Sequence, residues 1–380
     1  MREKLISIGY AVPELSYTQD QTFELIGYPK SWRRMFSDSG IDKRHFCIPL
    51  TQAVKLSFQE QQDLYIPKAV DLSSQAILKC FDGRDQKQIK RVVYGSCTGF
   101  APGPTIPHYF DAKLDFAPNV FVANNSGMGC EGAFPGLKIA LDHVKGNGGQ
   151  ALAVNCELSS LCYWPERENP DDVTCKPDPE NDFEVLRANS VFADAATAAL
   201  VGYDDNWRHP YILDMETYTE PKYAGDLGFV WRNGRLRVKL SRRVPELAPL
   251  VVKPAVDAVL LRQGLRVQDI TWWVIHAAGN IVIDNIGKAL NLPEEKLFLS
   301  RETLRNFGNT SSTSVGITGK RLMGENIQAG DYIMMLSIGP GMSGGATCLR
   351  FGEKPREATV YDVIEMERQK IKVSWAGATV

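Results

Sequence analysis

The chain has 380 residues, 44% of them apolar and 23% charged, and carries a formal net charge of −2 at pH 7. That composition is ordinary for a globular protein and provides no bulk attraction for nucleic acid or an anionic membrane surface. No apolar run is long enough to cross a bilayer, and the start "MREKLISIGYAVPELS" lacks a signal-peptide block, so the expected location is the cytoplasm.

The first strongly apolar strand pattern is "IKRVVYGSC", residues 89–97. "GMGCEGAFPGLKIALDHVKGN" then predicts a helix whose apolar face is Phe134, Leu137, Ile139, Ala140, Leu141 and Val144. "QALAVNCE" reads as a buried strand, and "NSVFADAATAALVGYD" as another. Between them, residues 164–184 are acidic and proline-rich and read as a surface loop.

A comparable series follows a divide at "DDNWRHP", residues 204–210. "ITWWVIHAAG" is a strand, "NFGNTSSTSVGITGKRLMGEN" a helix opening at polar residues, and "DYIMMLSIG" and "GATCLRF" are two more strands. The repeated plan predicts a duplicated α/β unit, with halves 1–208 and 209–380 sharing one core and an extension from about residue 352. The extension contains "ATVYDVIEMERQKIKV", a short amphipathic helix or strand.

Chemistry is expected where polar residues meet the carboxyl ends of strands. Cys130 lies at a helix start, where unsatisfied N–H groups and the dipole favour a thiolate, with Gly127, Gly129 and Gly132 allowing close approach. The competing reading is a small buried residue in a tight turn. His276 ends a strand and, taken alone, reads better as a satisfied core histidine; Asn309, taken alone, reads better as a helix cap. Their matching positions in the two halves make the case for a joint site. The eight cysteines, Cys47, Cys80, Cys97, Cys130, Cys156, Cys162, Cys175 and Cys348, show no metal spacing, and no metal or cofactor is expected. "GPGMSG", Gly339 to Gly344, matches a dinucleotide fingerprint in letters only, because a strand and not a helix follows it.

Together these motifs resemble the type III polyketide synthases, the chalcone and stilbene synthase-like enzymes. "MGCEGAFPGLKIALDHVKGNGGQALAVNCELSS" resembles their nucleophile segment. The stretch from "WWVIHAAGN" to "SVGITGKRLM" is similar to their histidine-to-asparagine segment, "SIGPGMSGG" to their glycine-proline loop, and "NSVFADAATAALVG" to the strand bearing a gatekeeper phenylalanine. The resemblance covers residues from about 30 to 351. It implies a thiolase-like fold of five αβαβα layers built from two duplicated halves, a homodimer, and a catalytic triad of Cys130, His276 and Asn309. It also implies a gate at Phe192 and Val238, the latter where the family has phenylalanine. Cys97, Thr98, Ser159, Cys162 and Ser311 fall at cavity positions, and Gly339, Pro340 and Gly341 in the glycine-proline loop. Lys30, Arg33 and Arg34 would grip the phosphates of the carrier, although Asp38 replaces a usual lysine. The substrates implied are acyl-coenzyme A or acyl carrier protein thioesters and a malonyl-type thioester. A ketoacyl synthase III-like enzyme, making one condensation or only transferring an acyl group, is the alternative within the superfamily. A papain-like peptidase shares the Cys…His…Asn order but neither its cysteine signature nor this duplicated plan. A catalytically dead binding protein would not need all three triad residues.

Overall fold

A computed structural model describes residues 2–353, apart from 54, 100, 102, 113, 164–178 and 233–234. The chain opens with β1 (Lys4–Ala11), β2 (Ser16–Thr18), α1 (Gln19–Ile26), α2 (Arg33–Ser37), β3 (Lys43–His45), α3 (Leu50–Ala53) and α4 (Phe58–Phe81). It continues through β4 (Ile89–Ser96), β5 (Phe121–Ser126), α5 (Ala133–Asn147), β6 (Gln150–Glu157), α6 (Pro179–Val191) and β7 (Ala195–Gly202). After β8 (Tyr211–Thr219) come the hairpin β9 (Leu227–Arg232) and β10 (Arg235–Leu240), α7 (Val244–Gln263), β11 (Trp272–Ile275) and α8 (Asn280–Ala289). The last elements are α9 (Phe298–Phe307), α10 (Ser314–Leu322), β12 (Tyr332–Gly339) and β13 (Ser343–Arg350).

Nine strands form one sheet in the order β11-β12-β13-β8-β1-β7-β6-β4-β5. Its seam is narrow: β1 meets β8 only at Lys4 and Tyr211. On either side of the seam the pairing repeats. In one wing β4 runs parallel to β6, which is antiparallel to β7, which is antiparallel to β1. In the other β11 runs parallel to β12, which is antiparallel to β13, which is antiparallel to β8. The duplication read from the sequence is thus a duplication of strand pairing.

Alternation along the strands builds the layers. Val92 and Tyr94 face one way, against Tyr65, Ala69 and Ile77 of α4. Val93 faces the other way, against Leu137, Leu141 and Val144 of α5. In the second wing Val274, Ile333 and Met335 join that same inner cluster with Val315 and Leu322 of α10. Trp273, Ile275, Met334 and Leu336 face outward against Val251, Val252 and Val256 of α7 and Ile283 of α8. The result is the expected αβαβα sandwich: α4, one wing, α5 with α10, the other wing, then α7 with α8. Strands covered on both faces need no polar alternation, which is why β6 and β13 read as nearly unbroken apolar runs.

Two expectations are corrected. Residues 179–184 are not loop but the first turns of α6, and "NSV" closes that helix instead of opening a strand. Proline suits a first helical turn, and the buried Val185, Leu186 and Ala188 fall at helical spacing. Residues 164–178 and the extension beyond 353 lie outside the described residues.

Gly9 sets the distance between β1 and α4: an added Cβ would lie 2.2 Å from the Ala76 carbonyl oxygen and 2.3 Å from the Cys80 nitrogen. Gly9→Ala must push α4 off the sheet. Urea denaturation is expected to show a loss of about 3 kcal/mol, the upper range for overpacking.

Candidate active site

The carboxyl ends of β4, β6, β11 and β12 deliver Ser96, Glu157, Ile275 and Gly339 to one edge of the sandwich. Open α/β sheets place ligands at such ends. The loop after β5 reaches this edge and carries Cys130. It lies in a 3-10 turn, Gly129–Glu131, immediately before α5. Gly127 and Gly129 have φ of 81° and 51°, a region that favours glycine. A Cβ on Gly129 would stand 2.4 Å from Cδ of Pro340, and one on Gly339 would stand 2.5 Å from Cβ of Glu131. The Cys130 turn of one wing therefore lies flat against the glycine-proline loop of the other. Glu131, which the sequence did not single out, secures this contact. Its buried carboxylate accepts hydrogen bonds from the hydroxyls of Ser343 and Thr217.

His276 follows β11 directly, its backbone N–H bonded to Leu336 O at 2.9 Å. Its Nδ1 contacts Ser314 Oγ at 2.5 Å, which leaves Nε2 for a substrate. A serine hydroxyl can rotate to donate or accept, so it supports either neutral tautomer. Asn309 is oriented without ambiguity. Its Oδ1 accepts from the Ser311 N–H at 2.9 Å, and its Nδ2 donates to Ala278 O at 3.2 Å. An amide nitrogen has two hydrogens, so one donor is left over. Cys130, His276 and Asn309 line the same cleft, of about 590 Å³.

Burial decides the charge state of the pair. It pushes the Cys130 thiol up to about 12 and pulls His276 down to about 4. At neutral pH both rest uncharged. Burial thus opposes the thiolate that the helix N-terminus favours. Ser311 Oγ–H donates to Cys130 Sγ at 3.3 Å.

The other expected residues separate into two groups. Thr98, Ser159, Cys162, Ser311, Phe192, Val238 and Pro340 line a small, tightly packed inner chamber beside Cys130. Phe192 and Val238 both pack near Cys130. Phe229, opposite Val238 in the β9–β10 hairpin, also lines this chamber and returns part of the bulk that valine leaves out. Cys97 stands behind the chamber wall: its Sγ donates to Glu157 at 3.2 Å and lies 3.7 Å from Ser311 Oγ. Gly341, with φ of 136°, turns the chain from β12 into β13, so the GxGxxG letters mark a strand-to-strand turn.

Of the basic residues, Arg34 lines the mouth of the large cleft. It is paired with Asp38 at 3.0 Å on the exposed surface. Arg33 turns instead to Asp20 and Glu24 at 2.8 and 2.5 Å, and exposed Lys30 is not part of the cleft lining. Arg187 and Arg242, distant in sequence, take their places at the mouth. No local motif would have found them.

Two buried networks, invisible in the sequence, support the chamber. Glu157 accepts from Cys97 N–H, Cys97 Sγ, Thr98 Oγ1 and Ser312 Oγ, at 3.1, 3.2, 3.0 and 2.5 Å. Arg44 is fully buried and donates to the carbonyls of Asn189 and Phe192 and to Tyr163 Oη. Among the described residues no cluster of three or more His, Cys, Asp or Glu side chains is placed to hold a metal ion, and no helix is long and apolar enough to cross a membrane. Cys175 lies outside those residues.

Comparison with known proteins adds the relationship. Residues 260–351 match the family described as 3-oxoacyl-[acyl-carrier-protein (ACP)] synthase III C terminal. The chain is 24% identical over 357 residues to the 3,5-dihydroxyphenylacetyl-CoA synthase of Streptomyces toyocaensis, covering 90% of this chain and 88% of that one. It is also 24% identical over 350 residues to the beta-ketoacyl-[acyl-carrier-protein] synthase III of Acholeplasma laidlawii, covering 91% and 97%. The crystal structure of 1,3,6,8-tetrahydroxynaphthalene synthase from Streptomyces coelicolor A3(2), a bacterial type III polyketide synthase, superposes with a TM-score of 0.80 at 22% identity, over 92% of this chain and all of that one.

The Glu157 network makes a direct test of the chamber wall. Glu157→Leu strands four donors in a dry interior and should cost about 3 kcal/mol in chemical denaturation, whereas Glu157→Gln, which keeps an acceptor, should cost less than half of that.

Proposed function

We propose that this chain, a condensing enzyme of the thiolase superfamily related to the type III polyketide synthases, loads an acyl thioester on Cys130 and extends it by decarboxylative Claisen condensation with a malonyl-type thioester. The observation that carries this reading is the convergence of Cys130, His276 and Asn309 on one cleft floor.

Loading begins with the thiol. Its proton passes to Nε2 of His276, and the sulfur attacks the carbonyl of the starter thioester. The carrier thiol leaves with that proton, and the neutral imidazole then exchanges to the tautomer with its hydrogen on Nε2, Nδ1 accepting from the Ser314 hydroxyl. The malonyl-type thioester then binds beside the acyl-cysteine and loses CO2, which places negative charge on the thioester oxygen. Nε2–H of His276 and the spare N–H of Asn309 Nδ2 are the two donors for that oxygen. In a dry site such donors act strongly because they are fixed before the charge develops. The enolate carbon attacks the acyl carbonyl, forming the carbon–carbon bond, breaking the carbon–sulfur bond and releasing Cys130 as a thiolate, which takes a proton from solvent to restore the thiol.

The mouth bears Arg34, Arg187 and Arg242 above apolar walls that include Trp32, Met35, Phe183, Leu186 and Ile281. Arginine suits phosphate, so this rim supports a phosphopantetheine carrier, either coenzyme A or an acyl carrier protein. The Arg34–Asp38 pair weakens the charge offered and supports the second reading, a single ketoacyl synthase III-like condensation from a carrier protein. The edge strand β5, with Phe121 64% exposed, is an open sheet edge for a second copy in a homodimer. The same reading places the enzyme in the cytoplasm.

Intact-mass spectrometry after incubation with acyl thioesters tests the assignment. Wild type should gain the acyl mass and Cys130→Ala should not; an adduct on another cysteine with activity retained would overturn it. Asn309→Ala should reduce malonyl decarboxylation roughly 100-fold, as for loss of one oxyanion donor, and should reduce acyl loading by much less. Val238→Phe should narrow the passage between cleft and chamber. Rates with long-chain acyl thioesters should then fall and those with short ones persist, and an identical starter profile would leave the gate to other residues.

A further inference from the structure

Loading requires negative charge on a sulfur that the site does not favour. Cys130 is 7% exposed, and the nearby Glu157 carboxylate opposes a second anion. The first helical residue of α5 is Ala133, three positions on. The donor that does reach the sulfur is the Ser311 hydroxyl, at 3.3 Å. Ser311 holds this position in an unusual backbone conformation, with φ of +54°. A non-glycine residue in the left-handed region carries strain and persists only when its surroundings hold it. Here they do. Asn309 Oδ1 accepts the Ser311 N–H, and the next residue, Ser312, is tied to Glu157.

We propose that Ser311 is the hydrogen-bond donor that stabilises the Cys130 thiolate during loading, and that its left-handed backbone serves to aim the hydroxyl at the sulfur. The inference rests on the reading of Cys130 as the acyl acceptor. In the step concerned, the S–H bond breaks, the proton goes to Nε2 of His276, and the electron pair remains on sulfur. Ser311 keeps its own proton and donates it as a hydrogen bond to that pair. A bond to an ionised acceptor is about twice as strong as one between neutral groups, so the contact matters more for the thiolate than for the thiol. Once Cys130 is acylated its charge is gone, and the hydroxyl has Cys97 Sγ at 3.7 Å as its other neighbour. Asn309 thus has two tasks: its Nδ2 faces the substrate side, while its Oδ1 holds the loop that carries the thiol's donor.

The test follows alkylation of Cys130 by iodoacetamide across a pH series, read by mass spectrometry of the peptide containing Cys130. It needs no acyl thioester, so it is separate from any failure of the proposed reaction. Two variants remove the hydroxyl. Ser311→Ala keeps the backbone strain; Ser311→Gly relieves it and is expected to unfold at or above the wild-type temperature. Both should slow alkylation about tenfold at a given pH and move the pH–rate curve up by about one unit. Wild-type curves for both variants would overturn the proposal. A wild-type curve for either one alone would also overturn it, since the effect would then follow the backbone or the local packing instead of the hydroxyl.

Discussion

Gly129 and Gly339 meet without side chains, and the Cys130 turn of one wing rests on the glycine-proline loop of the other through that contact. Pro340 fills the space where a Cβ of residue 129 would stand, and Glu131 fills the space where a Cβ of residue 339 would stand. Glu131 then bonds to Ser343 and Thr217, so the approach is locked by hydrogen bonds as well as by shape. Any side chain at either glycine would lift Cys130 away from the cleft that holds His276 and Asn309. The duplicated wings, joined at a seam only one residue pair wide, are brought to a common working edge here.

A second constraint is dryness. Both Cys130 and His276 are buried enough to rest uncharged, and charge is therefore a transient event in the proposed cycle. Under that condition fixed donors are more useful than fixed charges, because they need not be desolvated at each turnover. The donors present are neutral: the Ser311 hydroxyl, the Asn309 amide and the imidazole. Two buried carboxylates nearby do structural work. Glu157 gathers the β4 end and the Ser312 turn, while Asp194 accepts from the N–H groups of Cys47 and Ser160 and from the Ser160 hydroxyl, holding the turn that carries Ser159 and Cys162. Burial raises the proton affinity of both, and the surrounding donors act against that rise.

The gate is coupled to the same machinery through the backbone. The Ala193 N–H donates to Asn309 O, and the Asn309 N–H donates to Val191 O, so Phe192 and Asn309 share one short ladder. Arg44 and Tyr163 hold the Phe192 carbonyl from behind. Among the described residues no carboxylate forms an ion pair with Arg44; it rests between the rings of Phe36 and Phe46 and caps the carbonyls at the end of α6. The positions of Phe192, the proposed gate, and Asn309, the proposed enolate donor, are therefore not independent, and a change at α6 reaches both.

Local sequence was sufficient for whatever depends on neighbours in the chain. Alternating apolar residues specified the strands, the 3.6-residue spacing specified α5, and the repeated order of elements specified the duplication. The triad candidates were legible because each ends or begins such an element: Cys130 ahead of α5, His276 after β11, Asn309 ahead of α10. The start of α6 was missed because acidic and proline-rich segments read as loop unless their buried face is known. Other features required the folded chain. Glu131 and Glu157 acquire their roles from partners up to 212 and 155 residues away. Arg187 and Arg242 reach the cleft mouth where Lys30 and Arg33 were expected, because Arg33 is drawn to the carboxylates of α1. The charge state of Cys130 also escaped the sequence. A helix start promises a thiolate, but solvent exclusion depends on how two wings, a hairpin and a strained serine close around the sulfur, and that is a property of tertiary packing alone.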